Sequence, residues 1–323
     1  MIFAARGLMV SLAFFATVYC PMSLLALLVW WTARRIRPSA DAHSANLLFG
    51  VRVFPFAVSA AVTVFFTFPS FWLMERPSLD EDSETFILAL CSLCILGAGL
   101  YRVLRVQART TRAVQRWLAE ATNMNSDCDC DWGARTSKLS AAQGAPPLVL
   151  VGIYKPSVLI SDEAAAVLTD GELQIAVRHE ISHARSWDNL KKVLVSATPF
   201  PGMGRMERAW HEAAELAADD RAVTNRQEAL DLASALIKLS RSCQQLPSYV
   251  FAAELVSGSS SINLRVHRLL KWRMARQPSR HGWDRSILLT VLLTVLLTTI
   301  VGIVSHYGAA LVLTHRLTEL LVP

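Results

Sequence analysis

Four apolar runs constrain what this chain can fold into. They extend from Gly7 to Trp31, from Val53 to Met74, from Phe86 to about Leu104, and from Ser286 to Val304. Each is close to or above the roughly 20 residues that an α-helix needs to cross the hydrocarbon core of a bilayer. Inside lipid the backbone must satisfy its own polar groups, so such runs predict four transmembrane helices. Pro21, Pro55 and Pro69 are tolerable there. Hydrophobic residues make up 53% of the chain and the mean hydropathy is +0.34, values that a soluble protein of this length seldom reaches. A signal peptide is the rival reading of the first run. Against it, the positive charge of Arg34, Arg35 and Arg37 follows the run, and no small-residue cleavage site comes after.

Orientation follows from Lys and Arg near the span ends. Arg34, Arg35, Arg37 and Arg52 lie between the first two runs. Between the second and third lie Glu75, Asp80, Glu81, Asp82 and Glu84, with only Arg76 opposing. Arg102, Arg105, Arg109, Arg112 and Arg116 follow the third run, and Arg265, Arg268, Lys271, Arg273, Arg276, Arg280 and Arg285 precede the fourth. This alternation predicts both termini outside, with the first loop and the long central segment in the cytoplasm. Trp30, Trp31, Trp72, Tyr101 and Trp283 fall where an interfacial aromatic belt is expected. The expected division is 1–104 for three spans (about 7–31, 53–74 and 86–104), 105–285 for a cytoplasmic domain, and 286–323 for the fourth span (about 286–304) and a short external tail.

The net charge of +6 and pI near 9.2 are compatible with nucleic acid or membrane. The basic residues flank the apolar runs, which favours membrane, and no nucleic-acid motif, glycine-rich phosphate loop or G-x-S-x-G is present. Cys20, Cys91 and Cys94 sit in apolar runs, where the thiol packs as a small hydrophobe. Cys128 and Cys130 form C-x-C within an acidic Ser126–Asp131 stretch that reads as a disordered linker.

The central segment opens with a basic, helical stretch to about Ala121. After the linker and Pro146-Pro147, the runs Leu148–Val151 and Ser157–Ser161 flank a Gly/Pro turn, predicting a hairpin or two paired strands. The helix that follows the strands is expected to continue over Leu190–Val195 and to be broken by Pro199–Gly202, with further helices over Arg205–Val223 and Gln227–Ser242. Gly258–Ser261 reads as a flexible break.

The chemistry points to His179-Glu180-Ile181-Ser182-His183, an H-E-x-x-H. Thr169 to Glu172 has the form of a capping box, so the motif falls on a helix, where residues four apart share one face. Both imidazoles can then reach one metal ion, with Glu180 placed to take a proton from the attacking water. Two histidines on a helix can also be mere polar surface. A catalytic zinc takes three protein ligands, so a third must come from elsewhere. His211, Glu215 and Asp219 fall at i, i+4 and i+8 on a helix kept slim by Ala213, Ala214, Ala217 and Ala218. Glu215 is the first candidate, His211 its rival, and Glu212 and Asp220 weaker ones. Asp219 is expected to accept a hydrogen bond from a ligand imidazole. Arg221, Arg265 and His267 are candidates for stabilising an oxyanion or contacting substrate. Val149–Ile160, if a sheet edge, could hold an extended peptide by backbone pairing; both runs could equally be core strands.

His179 to Leu190 resembles the H-E-x-x-H-x-x-R-x-D-N stretch of BlaR/MecR-type membrane metallopeptidases, with the arginine displaced to Arg185. Pro147–Ser161 resembles the strand region before their active-site helix. Glu215 to Asp219 resembles the E-x-x-x-D motif shared with the related HtpX and CAAX-prenyl protease family, though the S-T-H-P of the HtpX type is missing. Arg265 loosely resembles the family's late arginine. The resemblance implies an α-helical membrane protein of four spans with an inserted zincin-like α+β cytoplasmic metallopeptidase domain. It implies Zn2+ on His179, His183 and Glu215, Glu180 as base, and cleavage of a cytoplasmic or membrane-associated protein, such as a repressor, in regulated proteolysis at the inner membrane. The antibiotic-sensing members carry a large external domain after the fourth span, where this chain has Ser305–Pro323. A separate sensor protein is therefore an expected partner, besides the substrate and the bilayer. The alternatives are a non-catalytic membrane signal transducer that keeps the fold, and a membrane quality-control protease.

Overall fold

The apolar runs and the helical periodicities of the central segment make a mostly helical protein. The computed structural model describes residues 2–36, 44–74, 83–120, 128–129, 135–139, 147–154, 156–243, 259–272 and 307–321. Two compact units emerge: one of residues 1–33, 51–98 and 275–323, the other of residues 34–50 and 99–274.

Three described stretches are long and apolar enough to cross a membrane: Phe3–Arg35, Ala45–Met74 and Thr85–Trp117. The first lies in α1 (Ile2–Ile36). The second comprises α2 (Ala45–Val62), a π-helical turn (Thr63–Thr67) and α3 (Phe68–Met74). The third lies in α4 (Ser83–Glu120), which carries the third apolar run straight into the basic stretch beyond it. The fourth expected span, 286–304, and the acidic stretch 75–82 lie outside the described residues.

Within the first unit, Ala13 and Phe14 are buried against Val18, Val62 and Leu88. The Ser92 hydroxyl donates to the carbonyl of Leu12, an interhelical bond of the kind that holds membrane helices together. Leu28, Phe65, Leu73 and Leu93 are more than half exposed. An apolar surface of that kind suits lipid contact. Where a short tail is expected, the chain forms α11 (Tyr307–Leu321), which packs against α3.

The second unit is built on a four-stranded sheet in the order β1-β2-β4-β3. The strands are β1 (Cys128–Asp129), β2 (Arg135–Leu139), β3 (Leu148–Val151) and β4 (Ser157–Ser161). The expected hairpin is present: β3 and β4 pair antiparallel, Leu148 opposite Ile160, around Gly152 at φ 97°. The linker reading is corrected in part. Arg135–Leu139, within the stretch between the helix and Pro146, is a strand parallel to β4, and Cys128–Asp129 pairs with it. Cys130 lies outside the described residues. Arg-Thr-Ser-Lys-Leu has almost no apolar signal; its strand conformation comes from backbone pairing to β4, which is distant in sequence.

Side chains alternate across the sheet as the pleat requires. Leu148, Val158 and Ile160 face one core with Ala176, Ile181 and Leu239, while Val149 and Leu159 face Trp117 and Val114 of α4. β4 leads into α5 (Asp162–Val167), capped by the Ser161 hydroxyl, and then α6 (Asp170–Arg185). The remaining helices are α7 (Asp188–Ala197), α8 (Gly204–Ala222), α9 (Arg226–Cys243) and α10 (Ser259–Leu270). α6 is central, packed by α8 and α9, with Ile175 in a second core beside Ala229, Leu232 and Leu269.

Candidate metal centre

The capping box fixes where α6 begins. The Thr169 hydroxyl accepts from the Glu172 N–H and the Glu172 carboxylate accepts from the Thr169 N–H. This start puts Ile175, Ala176 and Ile181 into the cores, and it buries His179, Glu180 and His183 as well. The two imidazoles meet, with Nε2 to Nε2 at 3.2 Å.

Small residues along α8 let it lie close to α6: Ala213, Ala214 and Ala218 are buried. Glu215 thereby reaches both rings. Its Oε2 is 3.4 Å from His179 Nε2 and its Oε1 is 3.4 Å from His183 Nε2. Ligand atoms of His179, His183 and Glu215 all lie within 4.8 Å of one another, the one such group among the described residues.

The opposite nitrogen of each ring rests on a carboxylate. His179 Nδ1 is 3.0 Å from Asp219 Oδ1. His183 Nδ1 is 2.7 Å from Asp188 Oδ2. Such bonds fix the tautomer that leaves Nε2 free to ligate. Asp188 stood inside the motif stretch with no role assigned. It arrives beneath His183 because Trp187, at φ 56°, takes the left-handed conformation and turns the chain between α6 and α7. Nothing in a tryptophan foretells that conformation.

Arg265 is the second residue whose place could not be read. It was a candidate for an oxyanion; instead it is buried behind the ligands. Its Nε and Nη2 donate to Asp219 at 2.8 and 2.7 Å, and Nη1 is 2.8 Å from Glu215 Oε2. The other two oxyanion candidates are not brought to the site. His267 is exposed on α10, and Arg221 is exposed, its Nε donating to the Ala217 carbonyl at 2.8 Å and its Nη1 to the Ser182 carbonyl of α6 at 3.5 Å, and neither lines the cleft that opens onto the ligand group. The rival ligand His211 lies one turn before Glu215 beside the Trp210 ring, outside the ligand group. Glu212 and Asp220 are exposed, and Asp220 accepts from Arg268 at 2.6 Å.

The electrostatics favour a cation. Glu180, Asp188, Glu215 and Asp219 bring four carboxylates, against the guanidinium of Arg265 and the ammonium of Lys191. Burial by itself disfavours protonation of His179, but its hydrogen bonds to Asp219 and Glu215 outweigh that and raise its pKa. For His183, burial is likewise overcome, chiefly by the Glu215 charge and the Asp188 bond, and the pKa rises to about 10. Burial would raise Glu215 and Asp219; the adjacent Arg265 holds both below the usual carboxylate range. Two imidazole nitrogens turned inward beside one partly buried carboxylate are the donors a catalytic divalent metal takes.

A cleft of about 490 Å³ opens onto this group. Glu180, His183 and Glu215 line it, with β3 along one side, Thr110, Val114 and Trp117 of α4 along another, and Asn189 and Val193 of α7.

Residues 73–269 match the model of the BlaR1 peptidase M56 family. No curated protein matches the chain. The match spans more than half of the chain and includes every residue of the His-Glu-His group. The chain belongs to the BlaR1 peptidase M56 family, a family of metallopeptidases.

Proposed function

We propose that this protein is an integral membrane zinc endopeptidase that cleaves a cytoplasmic or membrane-associated protein in regulated proteolysis. The observation that carries the reading is the convergence of His179 Nε2, His183 Nε2 and the Glu215 carboxylate at the wall of a cleft that Glu180 also lines. His179, His183 and Glu215 would hold the metal, with Asp219 and Asp188 orienting the rings. A zinc ion held there would supply Lewis acidity toward a peptide carbonyl and a water. Glu180 takes the proton of the attacking water and passes it to the leaving amine. Arg265, held by Glu215 and Asp219, keeps both carboxylates ionised and in place. Substrate lies in the cleft beside β3.

The zinc domain is read as cytoplasmic at the inner membrane, with both termini outside, on the alternation of Lys and Arg along the chain.

The test compares the full chain with Glu180→Gln in cells by proteome-wide mapping of cleaved termini. Zinc content should be equal, and a set of termini should vanish in the variant, with hydrolysis reduced by about 100-fold or more. Identical termini in the two strains would leave a non-catalytic transducer as the better reading.

A further inference from the structure

The site reaches beyond Asp188. The second oxygen of that carboxylate, Oδ1, is 3.4 Å from Lys191 Nζ. Lys191 Nζ in turn donates to Asn46 Oδ1 at 2.9 Å and lies 5.7 Å from the centre of the Phe49 ring. Phe49 is 6.1 Å, ring to ring, from Trp210 of α8, five residues before Glu215. Asn46 and Phe49 belong to the first turns of α2, the helix that continues into the second apolar stretch. At the far end of α7, a Cβ on Gly99 of α4 would come within 2.2 Å of the Ala197 carbonyl oxygen, so backbone meets backbone there. α7, which presents Asp188 to His183, is thus held near each end by a helix that also forms a candidate membrane span.

We infer that Lys191 and Asn46 are positioning residues for the metal centre: the first turn of α2 holds Lys191, Lys191 holds Asp188, and Asp188 sets the His183 ring. The inference rests on the metallopeptidase reading. Its physical basis is that a ligand imidazole is oriented by the bond on its other nitrogen, and that the carboxylate making this bond is oriented by its own partners. A shift of the α2 turn relative to α7 would loosen the carboxylate and, through it, one metal ligand.

The experiment measures the zinc dissociation constant of the full chain in detergent by chelator competition. Asp188→Ala should weaken binding by about 10–100-fold. Lys191→Met and Asn46→Ala should each weaken it by roughly 2–10-fold, the range of one net hydrogen bond. The double variant should be no weaker than Lys191→Met alone, because both act through one contact. Asn46→Asp, whose carboxylate can still accept from Lys191, should bind as wild type does. General damage to the fold would show neither that rescue nor that saturation. Wild-type zinc affinity in Lys191→Met and Asn46→Ala, or full additivity of the two, would overturn the relay. Should the wild-type chain bind no zinc, the metallopeptidase reading itself fails. The relay is then judged by amide hydrogen exchange of the metal-free chain: faster exchange over residues 183–192 in both variants supports it, and unchanged exchange overturns it.

Discussion

The side-chain amide of Asn189 donates to the carbonyl of Gly152 at 2.9 Å and to that of Leu150 at 3.4 Å, tying α7 to the outer edge of β3. The register explains which groups are on that edge. The Ser161 N–H donates to the Pro147 carbonyl, so Pro147 accepts from β4 and Val149 and Val151 exchange bonds with it. Leu148, Leu150 and Gly152 present theirs to the other side. β3 is therefore the sheet edge along the cleft, whereas β4 lies inside the sheet between β2 and β3.

The first prediction follows from that geometry. A peptide added as a strand would pair with the outward groups of Leu148 and Leu150. Leu150→Pro removes one outward donor without touching a bond to β4. It should keep zinc and fold while cleaving at least several-fold more slowly. Val149→Pro removes an inward donor, so its effect should appear as lost stability. Normal cleavage by a folded Leu150→Pro protein would rule out strand addition at this edge.

The second prediction concerns the third ligand. His179→Ala, His183→Ala and Glu215→Ala should each lose the metal, by more than the about 10–100-fold typical of an outer partner. His211→Ala should keep it, because that ring sits against Trp210 and outside the ligand group. Metal analysis of the four purified variants decides; metal retained in Glu215→Ala and lost in His211→Ala would transfer the role.

What could be read from the residues was mainly local. The start of α6 is written in Thr169 and Glu172, and the C-terminal end of α7 and both ends of α8 and α9 fall within a few residues of the periodic runs and breakers that mark them, whereas the break at Trp187 that parts α7 from α6 interrupts a helix expected to run on to Val195. The pair of strands around Gly152 is likewise a short-range pattern. What could not be read depends on distant partners. β2 is polar and is a strand because β4 offers it a backbone ladder. Asp188 and Arg265 have ordinary surface chemistry until packing turns them inward. His267, only two residues beyond Arg265, faces out: Ile262, Arg265 and Leu269 share the buried face of α10, and it is the arginine's own chemistry, not the helical period, that hides its place there.

The third prediction is topological. From the alternation of basic and acidic span flanks, Asn125 is expected in the cytoplasm and Asp80 and Pro323 outside. In intact cells an impermeant thiol reagent should label Asp80→Cys and leave Asn125→Cys unlabelled until the membrane is opened. Labelling of Asn125→Cys from outside would reverse the orientation and place the metal domain on the external face.

The fourth prediction is a pH dependence outside the metal site. Glu172 is buried at the start of α6 and joins the cap of that helix to α9: its Oε2 accepts from the Thr169 N–H at 2.8 Å and from Lys238 Nζ at 2.7 Å, and its Oε1 accepts from the Ser234 hydroxyl at 2.5 Å. Burial alone would raise its pKa. The bonds from Lys238, Ser234 and Thr169 outweigh that and lower it to about 2, from 4.5. A pKa depressed in the folded state means that the ionised form stabilises the fold. That stabilisation is complete above the unfolded value of 4.5 and is lost as pH falls through about 2. Glu172→Gln keeps the shape but weakens the link between α6 and α9. It should cost about 1–3 kcal/mol at pH 7, the range for hydrogen bonds to a charged group and for buried groups left unpaired. Below pH 4.5 the wild-type advantage should shrink, and near pH 2 the two proteins should unfold alike. Denaturant titrations of both across that range check it. A difference that stays constant from pH 7 to pH 2 would mean that the Glu172 charge contributes nothing to the clamp.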